Sequence, residues 1–214
     1  MKRILAAAIF GLLASASAWA DPIAGLVNTG TGVAGSLDTA YTLTVEQGTT
    51  VITNTHPYVT TDNVWPISPW MANSSTSKWV TPTESQGDTF DGSSDGVYRF
   101  SLAFNLASTD YSRAALVGRF SADNAATVFL NGQAIGSSNG FESWSGFAAN
   151  SGFVAGANTL DFVVTNYAQN SGNPMGLRVE FLSSGVSAVP EPQSWGMLAA
   201  GLGLLGFTAR RRKA

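Results

Sequence analysis

The chain has 214 residues, of which 44% are apolar, and a formal net charge of −3 at pH 7. This total hides an uneven distribution, because residues 21–188 contain five basic and thirteen acidic residues, whereas six basic residues lie at the two ends. A segment of such acidity repels phosphate backbones, so we expect no nucleic-acid partner. The absence of cysteine excludes disulfides, a thiolate nucleophile and a cysteine-based zinc site.

The first twenty residues have the organisation of a secretory signal peptide. Two basic residues precede an apolar run, and the small residues Ala18 and Ala20 frame an A-x-A cleavage site. Cleavage after Ala20 would leave Asp21 as the mature N-terminus. The alternative is an uncleaved membrane anchor, which the shortness of the apolar run argues against. We therefore predict that residues 1–20 form a signal helix and that the chain is exported through the inner membrane.

Residues 21–182 are predicted to form one all-β domain, a β-sandwich or jelly roll. Apolar and polar residues alternate in several short segments separated by Gly, Ser, Asn and Asp, and no stretch has a sustained helical period. Asn131-Gly132 indicates a two-residue hairpin turn, because both central residues of a type I′ turn need positive φ. The strands predicted on this basis are residues 41–45, 50–53, 97–106, 127–135, 159–165 and 176–182.

Tryptophans concentrate in residues 64–80, among Pro, Ser and Asn. Trp65, Trp70 and Trp79 lie there, and Trp144 lies in a separate Gly-rich loop. Aromatic faces bury the apolar faces of sugars, and neighbouring amide and hydroxyl groups bind sugar hydroxyls. The four tryptophans are therefore predicted ligand-binding residues. The alternative is that they are core residues beneath long loops.

Three carboxylates within eight residues are candidate ligands of a structural Ca²⁺, which takes six to eight oxygen ligands. They are Asp88, Asp91 and Asp95, and Gly92 and Gly96, which follow Asp91 and Asp95, permit tight turns. Asp123 and Asn124 are a second candidate. The alternative is a solvated turn in which aspartates cap their own backbone.

No catalytic residues are predicted. The single histidine, His56, has no nucleophile elbow nearby, and no spacing singles out the two facing carboxylates that a glycosidase needs. Glu180 alternates with buried strand positions, so we expect it on the solvated outer face. A glycan-active hydrolase remains an alternative function.

The C-terminal end has the organisation of a sorting signal. Residues 183–194 form a predicted linker in which prolines prevent helix and strand, and residues 195–214 form a hydrophobic helix with a basic tail. An apolar helix of about 15 residues reaches only about 22 Å, less than a bilayer core of about 30 Å, so it would anchor the chain transiently. The basic tail would stay in the cytoplasm. The motif residues are Val189, Pro190, Glu191 and Pro192, and the tail residues are Arg210, Arg211, Arg212 and Lys213.

This order of Val-Pro-Glu-Pro, a Gly- and Leu-rich span and a terminal Arg cluster resembles the PEP-CTERM sorting domain. The resemblance implies recognition by a membrane-embedded exosortase that processes the chain near the motif. It also implies delivery to the cell surface or extracellular matrix of a Gram-negative bacterium that makes exopolysaccharide. The alternative is an ordinary C-terminal anchor with a chance Pro-Glu-Pro.

A second set of motifs lies between residues 121 and 181. It comprises SADN at 121–124, VFLNGQAIG, Phe141 and Phe147, FVAGANTLDFVVTN and GLRVEF. The set resembles the galactose-binding-like jelly roll of carbohydrate-binding modules, which also occurs in many PEP-CTERM proteins. Because the motifs are mostly turns and buried strand positions, the resemblance implies a fold more than an activity.

The sequence thus predicts an exported, non-catalytic β-sandwich associated with glycan or exopolysaccharide. A structural biofilm-matrix protein with no specific ligand is the main alternative.

Overall fold

Ten β-strands make up nearly all the regular structure of the residues that the computed structural model describes, which are 21–48, 51–187 and 202. Residues 21–187 form one structural unit. The predicted signal peptide, the sorting motif, the basic tail and all of the hydrophobic segment except Leu202 lie outside the described residues. Among the described residues, no helix is long and apolar enough to span a membrane.

The strands form two five-stranded antiparallel sheets, so the predicted all-β sandwich is confirmed. The first sheet has the order β1-β4-β9-β6-β7, and the second has the order β2-β3-β10-β5-β8. A single 3₁₀ turn, Tyr111–Arg113, precedes β5. The strands are β1 Tyr41–Gln47, β2 Tyr58–Val59, β3 Val80–Thr81, β4 Gly96–Leu106, β5 Ala114–Asp123, β6 Ala125–Leu130, β7 Gln133–Asn139, β8 Ser145–Ala149, β9 Gly156–Asn166 and β10 Gly176–Val186.

Most of the predicted strands are present, and the predicted hairpin joins β6 to β7. Its turn residues Asn131 and Gly132 have φ values of 49° and 85°, as a type I′ turn requires. The prediction for 50–53 is wrong at the described positions 51–53, which are not in a strand. β10 continues to Val186, four residues beyond its predicted end, because after a bulge it pairs with the start of β5.

The core lies between the two sheets and contains a cluster of phenylalanines. Phe120 of β5, Phe147 of β8 and Phe162 of β9 meet edge to face, with ring centroids 5.6–5.8 Å apart. Gly118 makes room for this cluster, because a Cβ there would lie 2.2 Å from Cζ of Phe147. The close packing of the rings fixes how the sheets face each other.

Four connections meet at one end of the sandwich. They are the long segment between β2 and β3, the junction of β5 and β6, the β7–β8 loop and the β9–β10 loop. Hydrogen bonds join them, including Met71 N to Phe141 O at 3.1 Å and Tyr167 N to Oδ1 of Asn124 at 2.7 Å. This end of the fold carries the site described next.

Candidate ligand-binding site

A cavity of about 230 Å³ lies where these four connections meet. Aromatic and amide side chains line most of it, as in other small-ligand sites. The aromatic lining is Trp65, Trp70 and Phe141, and the polar lining is Asp123, Asn124, Gln169 and Asn173.

Trp65 presents an open aromatic surface to the cavity. Trp65 is 48% exposed. Gly87 packs against the ring, since a Cβ there would lie 2.9 Å from Cδ1 of Trp65. The Trp65 backbone is fixed by Nε2 of Gln86, which donates to its carbonyl at 3.1 Å and to the carbonyl of Val64 at 2.8 Å. The ring is therefore positioned before any ligand arrives.

Trp70 forms the cavity floor, and Trp79 lies beneath it. Trp70 is 3% exposed and Trp79 is fully buried, with ring centroids 4.5 Å apart. Trp70 also packs on Gly176 at the start of β10, where a Cβ would lie 2.6 Å from the ring. Nε1 of Trp79 donates to the carbonyl of Met71 at 2.8 Å. Trp79 is thus a core residue that supports the cavity without lining it.

Asp123 is the one ionisable residue among the described residues that line the cavity. Its Oδ2 accepts a hydrogen bond from Nε1 of Trp70 at 2.9 Å, whereas Oδ1 has no donor within the described part of the chain. Burial raises the pKa of Asp123 to about 6, and the Trp70 hydrogen bond opposes this shift only in part.

The amide side chains at the cavity are partly used to hold the loops. Oδ1 of Asn124 accepts from Tyr167 N, and Nε2 of Gln169 donates to the carbonyls of Ser171 and Gly172. These bonds leave Nδ2 of Asn124 and Oε1 of Gln169 for a ligand. The cavity therefore offers a hydrogen-bond donor and a hydrogen-bond acceptor beside an aromatic surface.

Trp144 lies away from this cavity, on the outer face of the second sheet. The guanidinium groups of Arg119 and Arg178 lie over its ring, 4.5 and 4.8 Å from the centroid. These are cation–π contacts, and Trp144 is not among the residues that line the cavity, so the structure does not bring it together with Trp65 and Trp70.

Glu180 is buried in this outer-face cluster, so the expectation that it would be solvated is wrong. Its Oε2 accepts from Arg119 at 2.6 Å, and its Oε1 accepts from Ser77 at 2.7 Å. Arg178 lies 3.4 Å from Glu180 and also donates to Ser77 and to the carbonyl of Ala72. The cluster fastens the tryptophan-rich loop to β10.

The three predicted calcium ligands point to different partners. Oδ2 of Asp88 accepts from Thr83, and Oδ1 of Asp95 accepts from the Ala168 amide. Asp91 is buried, and its Oδ2 accepts from Tyr98 and Asn166. In the described residues no three acidic or histidine side chains gather as a metal site.

The imidazole of His56 lies elsewhere, with Nδ1 2.7 Å from the carbonyl oxygen of Tyr41.

Sequence reasoning identified Trp65 and Trp70 but missed Phe141, Gln169 and Asn173 as lining residues. Asp123 and Asn124 were considered only as metal ligands. The SADN sequence before a strand was the available signal, because a carboxylate at a strand end lies where loops meet. No local sequence pattern predicts that Gln169 or Asn173 lines the cavity.

Comparison with protein families places a sorting signal at the C-terminus. Residues 188–213 match the PEP-CTERM protein-sorting motif. The chain therefore carries the signal of an exported protein that is sorted at its C-terminus, and the motif implies processing by an exosortase, a membrane enzyme. No curated protein matches the chain.

The chain has weak similarity to several solved structures. One is an FMN-binding β-glucuronidase from Facaelibacterium prausnitzii L2-6, which is 18% identical. The match covers 67% of this chain and 22% of that chain, with a TM-score of 0.37. Another is an uncultured Clostridium sp. β-glucuronidase, with 16% identity, 69% and 30% coverage and a TM-score of 0.33. A family 35 carbohydrate binding module from an environmental isolate has 14% identity, 72% and 97% coverage and a TM-score of 0.31. The chain matches less than a third of the length of either glucuronidase.

Proposed function

We propose that the folded unit is a non-catalytic glycan-binding module, delivered by its sorting signal to the cell surface or exopolysaccharide matrix of a Gram-negative bacterium. The observation that carries this proposal is the half-exposed, preorganised Trp65 ring at the edge of a cavity lined by aromatic and amide groups. A pyranose ring stacked on Trp65 would place its hydroxyls within reach of the cavity's polar atoms.

The lining favours binding over hydrolysis. Glycoside hydrolysis uses two carboxyl groups on either side of the scissile bond. Among the described residues at the cavity, Asp123 supplies one carboxyl group and no second one accompanies it. We therefore propose that the chain has no glycosidase activity.

Replacing Trp65 with alanine should weaken glycan binding about tenfold or more. Covering about 60 Å² of ring surface contributes about 1.5 kcal/mol, which corresponds to about a tenfold change in affinity. The measurement is calorimetric titration of the purified full-length chain with a panel of oligosaccharides. Tyr111→Ala is the matched control, because Tyr111 is an exposed aromatic residue beside the opposite end of β5.

Two results would favour an alternative function over glycan binding. A folded chain that binds no glycan in the panel would favour a structural matrix protein. Release of new reducing ends from a glycan would favour a hydrolase.

Calcium binding is also proposed, at Asp91. Oδ1 of Asp91 and Oδ1 of Asn166 are both buried without a donor in the described residues, and Ca²⁺ prefers such oxygen ligands. Adding Ca²⁺ to the chelator-treated chain should raise its melting temperature, because the ion binds only the folded state. Asp91→Asn should abolish the increase, whereas Asp88→Asn, at an exposed carboxylate, should retain it. An unchanged melting temperature of the wild-type chain would refute the site.

A further inference from the structure

Asp123, which lines the cavity, carries a buried oxygen that accepts no hydrogen bond from the described residues. Asp123 is only 5% exposed, and its Oδ2 accepts from Trp70 while Oδ1 has no donor among the described residues. Leaving a buried acceptor unpaired is destabilising, and more so when the acceptor is charged. A donor carried by a ligand would remove this penalty.

The charge of Asp123 is also uncompensated. The four arginines of the folded unit are all committed to ion pairs with other carboxylates, which are Glu46, Asp110, Asp161 and Glu180. The described lining residues include no basic side chain. The raised pKa of Asp123, caused mainly by burial, is the direction expected of a carboxylate without a cationic neighbour.

These surroundings discriminate between classes of sugar. A uronate, sulfate or phosphate group would bring a second negative charge close to Asp123, in a unit with thirteen acidic and five basic residues. An ammonium group would instead donate a charge-assisted hydrogen bond to the Asp123 carboxylate, whose buried Oδ1 would turn toward the cavity to accept it. The face of the Trp65 ring would attract the same positive charge.

We propose that the cavity selects sugars that carry a free amino group, with the ammonium donating to the carboxylate of Asp123 and the sugar ring lying against Trp65. This inference rests on the proposed glycan-binding function and adds its ligand class. Amino sugars bind most tightly, neutral sugars bind more weakly, and acidic sugars bind least.

Three tetrasaccharides test the ranking: tetraglucosamine, its N-acetylated counterpart and tetragalacturonate, each titrated into the purified full-length chain near neutral pH. Tetraglucosamine should bind about tenfold or more tightly than the N-acetylated sugar, as expected for gaining a charge-assisted hydrogen bond. Asp123→Asn should remove this preference. Glu142→Gln is the matched control, since it removes one exposed negative charge beside Phe141 without touching the buried oxygen.

The outcomes separate this inference from the function on which it rests. Equal or tighter binding of tetragalacturonate, or an amino-sugar preference that survives in Asp123→Asn, would overturn the ligand class while glycan binding stands. Loss of the preference in Glu142→Gln to the same degree would assign it to overall charge and would also overturn it. If the folded wild-type chain binds none of the three sugars or any other glycan, both proposals fail.

Discussion

Replacing Glu180 with alanine should lower the free energy of unfolding by about 3–5 kcal/mol near neutral pH, the usual cost of breaking a buried ion pair. The variant would leave Arg178, which is itself buried, without its carboxylate partner. It would also remove an acceptor from Ser77 and Arg119. Chemical denaturation of the wild-type and variant chains measures the difference.

Glu46→Ala is the control for this prediction. Glu46 forms an ion pair of the same kind, 2.6 Å from Nε of Arg99, but both partners are about one-third exposed. Exposed pairs contribute about 0.2–1 kcal/mol, so this variant should change the free energy of unfolding by less than about 1 kcal/mol. An equal decrease in the free energy of unfolding for the two variants would show that burial does not increase the contribution of the Glu180 ion pair to stability.

The effect of Glu180→Ala should also depend on pH. Burial raises the pKa of Glu180, but hydrogen bonds from Ser77 and Arg119 and the charges of Arg119 and Arg178 outweigh it and hold the pKa below its ordinary value. A carboxyl group of this kind stabilises the folded state above its ordinary pKa and loses that contribution as the pH falls through the folded-state pKa. The difference between the two chains should therefore narrow in acid.

The second large effect has the opposite sign: Asp123→Asn should stabilise the folded chain by up to about 3 kcal/mol near neutral pH. The pKa of Asp123 rises from 3.8 to about 6 on folding, and a tenfold change in proton affinity corresponds to about 1.4 kcal/mol. The folded state thus keeps a proton that the unfolded state has lost between these two pH values, so ionisation of Asp123 opposes folding at higher pH. Asparagine carries no charge and can still accept from Trp70.

Denaturation at several pH values tests this expectation. The stability advantage of the variant over the wild-type chain should shrink as the pH falls from about 6 to 3.8. A variant that is less stable than the wild type near neutral pH would make Asp123 a structural acceptor and would weaken its proposed role in binding. A residue that costs stability and aids binding is the pattern expected of a functional site.

The fold was largely predictable, because strands with one buried face show period two in the sequence. β4 and β9 are clear examples, because buried positions alternate with half-buried or exposed ones along all eleven residues of β4 and along the last ten of β9. β5 was not predicted, because its last four residues are all buried and Gly118 interrupts the pattern. Its partner β8 is short and follows a Gly-rich loop, which conceals it.

The candidate site was predictable only in part, because its residues come from connections that are distant in sequence. Trp65 and Trp70 were found from aromatic clustering, but the same clustering also included Trp79, which is buried beneath Trp70. Which tryptophan is open depends on contacts such as Gly87 against Trp65. Trp70, which is 53 residues away in sequence, donates to Oδ2 of Asp123, and Oδ1 has no donor among the described residues. No local sequence pattern predicts this arrangement.

β10 has a mechanical consequence for a protein retained by its C-terminus. Gly176, at one end of this strand, pairs with Asp123 at the cavity. Val186, at the other end, pairs with Ala114 and lies two residues before the start of the sorting motif at residue 188. The two points lie roughly 33 Å apart along one strand. Tension between a captured polymer and the attached C-terminus would run along β10 and shear its hydrogen bonds to β5 all together, because those bonds lie across the strands. Bonds that are sheared together resist extraction better than bonds that are peeled one after another.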